Sequence, residues 1–306
     1  MTRVLHWLGG MIDGFRPADG PPPRELAAFF RWCLAGAWPA LGVAAFVSAL
    51  AGTLEVVTAY LLGLVIDSAT EGGRQTYFAD NAILLLGFAG FFVILRPLVF
   101  GVSAAFNGIV VPPNIYPLVQ SRLHRWSLGH SVSFFDNDFA GRIVQKQMQT
   151  ARAVTEVTAE IINVVFFALA SLVGSVILLL SMDWRIAIAP VLWLGLYFAM
   201  IRWFMPRIRV RSAARASARA MGTGQVVDTV TNIKTVKLFG HIDHEDRSAL
   251  DAMAQLRGRA LSFGQLSTGF RFALMTVAGV LPVILIIGAV MLWRVGISTA
   301  GDIAAA

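Results

Sequence analysis

Apolar and polar positions alternate along the chain in long blocks rather than at short period. Uncharged runs cover residues 32–54, continue past Glu55 to Ile66, and recur over 81–95 and 97–121 with only Arg96 between them. Further runs cover 161–182, 186–201 and 272–293. A helix needs about 20 mostly apolar residues to cross roughly 30 Å of hydrocarbon. The pattern therefore predicts five spanning helices, at about 36–66, 82–111, 161–182, 184–205 and 270–293. Between them, residues 67–81 and 182–185 are short, whereas 112–160 and roughly 202–270 are long, polar and rich in helix formers. Long structureless loops are uncommon in a compact protein, so the spanning helices are expected to run on out of the membrane, turn and return. Twenty helical residues would add about 30 Å of reach. Pro112, Pro113 and Pro117 are expected to kink the second helix where it leaves the membrane.

Composition agrees with this reading. Hydrophobic residues make up 57% of the 306, charged residues only 14%, and the mean hydropathy is +0.68, where a soluble domain carries about 25% charged residues. The single cysteine, Cys33, excludes a disulfide framework, a cysteine-ligated zinc site and an iron–sulfur cluster.

Charge sets the expected orientation. Four arginines precede the first span, five basic residues lie in the first long loop and eleven in the second, against only Arg74, Arg185 and Arg294 on the opposite side. Positive residues favour the cytoplasmic side, so the amino terminus and both long loops are expected there. Tryptophans fall where the interfaces should be: Trp32, Trp38 and Trp203 inside, Trp184 and Trp293 outside. Residues 1–35 read as a cytoplasmic segment with an interfacial elbow helix. They do not read as a cleaved signal, because Asp13, Arg16 and Asp19 arrive before any adequate apolar core.

The long loops carry distinctive residues. The first contains Ser133-Phe134-Phe135-Asp136, then Phe139, Gly141-Arg142 and Lys146. Bare aromatics at a solvated tip make sense if they fill a groove on a partner, with Asp136, Asp138 and Arg142 as a polar rim; the alternative is packing within the loop itself. The second loop contains Asp228, Ile233-Lys234, Lys237-Leu238-Phe239 and His244-Glu245-Asp246. In this order and spacing the chain resembles the transmembrane domain of a type I ATP-binding-cassette (ABC) exporter, the class of bacterial multidrug and lipid half-transporters. The first loop is similar to that family's FFD…G-R…R/K segment and the second to its E…IK…F…E segment. The Leu54-Glu55-Val56 and Gly63-Leu64-Val65-Ile66-Asp67 stretches of the first span also match. Departures are Thr150-Ala151, where the family often has aspartate, and Asp228, where it often has glutamate.

The resemblance implies an all-α membrane fold over residues 36–306, with coupling helices at about 132–140 and 226–238. It further implies that Phe134, Phe135, Asp136, Phe139, Arg142, Asp228, Lys234, Lys237 and Phe239 contact an ATPase domain or chain. ATP and magnesium would be held by that partner, since no G-x-x-x-x-G-K-[ST] run occurs in these residues; no cofactor is expected in this chain. The implied assembly is a homo- or heterodimer of transmembrane domains in the inner (plasma) membrane. The implied activity is alternating-access export of an amphiphilic or lipid-like substrate. Thr299-Ala300-Gly301-Asp302 is similar to the turn that opens the family's sixth span, so the chain reads as truncated before that span and the ATPase domain. The rival reading is a non-transporting remnant that dimerises with intact subunits and regulates them.

Other candidates divide between a sharp and a plain reading. Glu55 and Arg96 are the deepest charges, each roughly 18–22 Å from the same face by helical rise, and could pair between the first two spans. They line a substrate cavity or brace two helices; Asn107 lines the cavity or satisfies a neighbouring backbone group. Arg207, Arg211, Arg215 and Arg219 share one helix face, which suits a lever near anionic head groups better than nucleic acid. His241 and His244 read as a polar turn rather than a metal site.

Overall fold

A computed structural model describes residues 2–71, 77–132, 134, 140–240 and 242–305. Among them every regular element is helical. Two short helices, α1 (Thr2–Gly9) and α2 (Leu26–Cys33), precede α3 (Trp38–Glu71), α4 (Tyr77–Asp80) and α5 (Ala82–Leu128). The next helix, α6, runs through Ala140–Glu160, Ile161–Phe166 and Phe167–Met182. Then follow α7 (Trp184–Thr231), α8 (Ile233–Leu238), α9 (Ile242–Arg294) and α10 (Ala300–Ala305). Five of these, α3, α5, α6, α7 and α9, are long and apolar enough to cross a membrane. The chain divides into two compact units, Met1–Met182 with Trp293–Ala306, and Asp183–Leu292.

In the first unit, close packing rests on small residues, as expected where lipid offers no hydrophobic drive between helices. A Cβ placed on Gly52 of α3 would run into the carbonyl of Phe167 in α6, and one on Gly174 would lie 3.0 Å from Cγ2 of Val56. On the next turns of α3, a Cβ on Gly63 would lie 2.8 Å from the carbonyl oxygen of Gly301. Gly52→Leu is therefore expected to push α3 and α6 apart at a cost of about 1–3 kcal/mol, read as a lower unfolding temperature in detergent. At Gly42 a Cβ would meet nothing within 4 Å, so this position should tolerate leucine in the same assay.

Near Gly301 the Thr299-Ala300-Gly301-Asp302 stretch forms a reciprocal cap. The Thr299 amide donates to the Asp302 carboxylate at 2.9 Å, and the Asp302 amide donates to the Thr299 hydroxyl oxygen at 3.0 Å. Asp67 of α3 completes it, accepting from the Thr299 hydroxyl at 2.7 Å and the Gly301 amide at 2.6 Å.

Helix α5 is continuous but not uniform. It widens to π geometry at Phe91–Leu95 and Phe106–Val110, as α6 does at Ile161–Phe166. Pro112 and Pro113 follow the second widened turn, and both lack an amide hydrogen. Asn114 covers part of the deficit, its Nδ2 donating to the Ile109 carbonyl, which Pro113 leaves free, at 3.4 Å, and to that of Val110 at 2.9 Å. The prolines are thus carried inside one helix. Around them Val110, Val111, Ile115, Leu118 and Val119 pack on Cys33, Ala37, Leu41 and Ala44, and on Ala151 and Val154 of α6.

The second unit is a hairpin of two very long helices. Partners step in opposite directions along α7 and α9. The Trp193 indole donates to the Val277 carbonyl at 2.6 Å, Phe204 meets Phe270 at 5.2 Å, and Arg211 donates to the Ser262 carbonyl at 3.0 Å. Farther along, Thr229 donates to Glu245 at 3.1 Å. Two more arginines of the row on α7 meet aromatic rings: Arg207 lies over the Trp203 ring at 4.1 Å and Arg215 over Phe263 at 4.0 Å.

Candidate coupling and intramembrane sites

At the end of the hairpin the chain makes a separate six-residue helix, α8, and the sequence shows how. Asn232 closes α7, its amide donating to the Asp228 carbonyl at 2.9 Å and its side chain to Asp228 Oδ1 at 2.9 Å. The Asn232 carbonyl then accepts from Thr235 and Val236, starting α8. Gly240, at φ +68°, stops it. Lys234, Lys237, Leu238 and Phe239 are all exposed on this tip, Leu238 by 81% and Phe239 by 66%. Beside it lies a cavity of about 260 Å³ lined by Val230, Ile233, Val236, Lys237 and Glu245 among others. Of the expected contact residues in this loop, Asp228 therefore shapes the bend, whereas Lys234, Lys237 and Phe239 face outward.

The first loop is described only at its edges. Phe135, Asp136 and Phe139 lie outside the described residues, and Arg142 is described in its helical backbone but not its side chain. Phe134 is half-buried and packs within its own loop, its ring 4.4 Å from His130, which stands edge-on to Trp126 at 4.3 Å. The three rings, Trp126, His130 and Phe134, follow one another four residues apart.

Inside the membrane segments, Arg96 donates to Glu55 at 2.9 Å, linking α5 to α3. The guanidinium also stands 5.8 Å from the Phe92 ring and 5.5 Å from that of Phe100, one turn to either side. Both charged side chains are about a third exposed in the isolated chain, 35% for Arg96 and 36% for Glu55. Asn107 does not join them: it lies eleven residues farther along α5, about 16 Å by helical rise. Its side-chain oxygen instead accepts from Asn163 of α6. Both asparagines sit in π-helical turns, a geometry rare outside functional or strained places. Asn163 had no special standing in the sequence, because an isolated asparagine in an apolar run does not name its partner.

A further residue escaped sequence reasoning. Arg122, counted among the basic residues of the first loop, is 2% exposed. It donates to four backbone carbonyls: Arg16 at 3.0 Å, Trp32 at 2.6 Å, Cys33 at 3.1 Å and Ala35 at 2.7 Å. Three of these lie at or just past the end of α2, where the last carbonyls have no helical partner and the helix dipole is negative. The guanidinium thus caps α2 from another helix and ties the amino-terminal segment to α5. Burial pulls its pKa below the ordinary arginine value, with Cys33 acting in the opposite sense. The adjacent Cys33 thiol is fully buried, and burial pushes its pKa up to about 12 despite the opposing influence of Arg122.

Two consequences follow for Cys33. A maleimide that labels an exposed thiol within minutes at pH 7.5 should leave Cys33 unmodified until the protein is unfolded in detergent. A thiol ordinarily ionises near pH 9.0, and the thiolate favours the unfolded chain. This contribution to stability is therefore fully present below about pH 9 and is lost as the pH rises toward about 12.

Comparison with known proteins agrees with the architecture. Residues 41–306 match the ABC transporter transmembrane region. The chain is 25% identical over 254 residues to an uncharacterized ABC transporter ATP-binding protein of Haemophilus influenzae, covering 82% of this chain and 41% of that protein. It is 23% identical over 210 residues to an ATP-dependent lipid A-core flippase of Francisella tularensis, covering 66% of this chain and 34% of the flippase. A flippase of the same name from Francisella novicida is 23% identical over 175 residues, covering 55% and 28%. The chain thus spans about two fifths or less of the length of these relatives. The family match takes in most of the sequence and all five helices of spanning length, and the chain therefore belongs to the ABC transporter transmembrane family as a multi-pass membrane protein.

Proposed function

We propose that this chain is the membrane half of an ATP-driven exporter that moves a lipid-like amphiphile by alternating access in the inner (plasma) membrane. The amino terminus and long loops face the cytoplasm, as the distribution of basic residues favours. Two such transmembrane domains pair, and an ATP-binding domain docks on the loop tips, holding ATP and magnesium itself. Closure of paired ATPase domains pulls the tips, and the long helices transmit the movement to the membrane. The observation that carries this reading is the α8 tip, where Leu238 and Phe239 stand 81% and 66% exposed at the end of a hairpin whose helices run 48 and 53 residues. Large apolar side chains at a solvated tip are anchors in search of a pocket. The lipid character of the substrate follows the named activity of the Francisella relatives.

Phe239→Ala tests the reading. Truncating one buried anchor costs about 2 kcal/mol of docking, roughly thirtyfold in affinity. In the reconstituted transporter, basal ATP hydrolysis should persist while its stimulation by lipid and the transport rate fall at least tenfold. Unchanged transport in the Phe239→Ala, Lys237→Glu double variant would remove the tip from the coupling path.

A further inference from the structure

The described side chains of the amino-terminal segment divide between two faces. Leu8 and Met11 pack with Ile12 onto the cluster built around Val110 and Ile115. The other face, at helical spacing, presents Arg3, Trp7 and Gly10, all exposed, with Trp7 at 68%. Between that face and the start of α3 lies a cavity of about 430 Å³, with His6, Trp7, Gly10 and Met11 on one wall and Pro39 and Val43 on the other. This lies within the roughly 300–1,000 Å³ of small-molecule sites.

The groove opens onto the face of α3 that hydrocarbon would cover. Pro39, Val43, Phe46 and Leu50 form one helical stripe and are all exposed, the last three by 45%, 68% and 38%. Its other end is polar and basic, at His6 and Arg3 one turn nearer the amino terminus. The matched transmembrane region begins at residue 41, so the seat straddles its edge, with His6, Trp7, Gly10, Met11 and Pro39 before it and Val43 within it. The Arg122 clamp holds that segment in place through the Arg16, Trp32, Cys33 and Ala35 carbonyls.

We propose that this groove seats one anionic phospholipid of the membrane leaflet in which it lies, an acyl chain along Trp7, Met11, Pro39 and Val43 and the head-group phosphate at Arg3 and His6. The occupant is argued from continuity and charge. An apolar channel continuous with the lipid-facing stripe fills with acyl chain, and a cationic residue at its polar end selects a negative head group. Placing it in the cytoplasmic leaflet rests on the orientation proposed above.

The test is lipid binding by the delipidated full chain in detergent, titrated with dioleoyl-phosphatidylglycerol and followed by native mass spectrometry. One phosphatidylglycerol should bind at least tenfold more tightly than further copies and than phosphatidylcholine. Gly10→Leu should abolish that tight copy: a Cβ there meets only the Trp7 and His6 carbonyls at ordinary distances of 3.6 and 3.7 Å, so the side chain fills the groove without straining the backbone. Arg3→Glu should remove the preference over phosphatidylcholine while leaving weaker binding. Protection of Cys33 from maleimide reports that each variant keeps its amino-terminal fold. Unchanged tight binding in a folded Gly10→Leu variant, or equal affinity for phosphatidylcholine and phosphatidylglycerol in the parent protein, overturns the proposal. Binding in detergent is indifferent to which side the amino terminus occupies, so its failure leaves the orientation standing. An inverted orientation, conversely, would move the seat to the other leaflet without abolishing it.

Discussion

Arg122→Ala should release the amino-terminal segment from the membrane helices and destabilise the first unit by about 3 kcal/mol, the upper end for a hydrogen bond to a charged group. Hydrogen bonds to a charged donor are worth about 1.5–3 kcal/mol each. The four do not add, because once the guanidinium is gone the segment can swing out and expose its carbonyls to water. That escape is what the experiment should see: Cys33, inert in the parent, becomes reactive to maleimide, and protease cleaves within residues 10–37. Arg122→Lys is expected to recover only part of the stability. An ammonium presents three donors from one point, whereas the fork of arginine spreads five across carbonyls on both sides of the α2 end. Full stability in Arg122→Ala would mean that the apolar packing around Ile115 and Leu118 holds the segment unaided.

The second large effect concerns Glu55 and Arg96. Arg96→Leu leaves a carboxylate at depth without its partner, and Glu55→Leu strands the guanidinium; each should cost about 2.5–3.5 kcal/mol on membrane-insertion scales. The double leucine variant should recover most of this, because removing both charges also removes both desolvation costs. The measurement is a double-mutant cycle on thermal unfolding in detergent, where a coupling term near zero would show that the 2.9 Å contact does not act as a unit. Transport by the double variant separates the two roles. A brace between helices predicts near-normal rates when leucine packing replaces the pair, whereas a cavity function predicts loss of transport with stability intact.

Much of the architecture was legible because membrane burial writes itself as long uncharged blocks, and helices of 48 and 53 residues leave periodic polar faces outside the bilayer. The possible pairing of Glu55 with Arg96 was also readable, since rise per residue puts both at one depth. What stayed hidden were partnerships that depend on register. Arg122 falls on the same stripe as Ile115, Leu118 and Val119, at intervals of seven, four and three residues. A charge on an apolar stripe is the signal of such a buried role, although by composition Arg122 is one more basic residue of the first long loop. Asn107 stands out in its apolar run, but the sequence does not name Asn163 as its partner, because the π-helical turns in which the two sit have no sequence signature. The glycines show the same limit. Gly52 and Gly42 look alike in sequence, and only the path of α6 makes one indispensable.

The central claim, that this chain belongs to a working ATP-driven lipid exporter, is tested most directly by reconstitution. The protein, tagged in its native locus, is purified with the ATP-binding domain it carries or holds and placed in liposomes containing a head-group-labelled lipid. Expected are ATP hydrolysis and lipid translocation that rise together, both blocked by vanadate and uncoupled from each other by Phe239→Ala. Reconstituted, folded protein that hydrolyses ATP but moves no lipid or other amphiphile, or that holds no ATP-binding domain at all, would contradict the account.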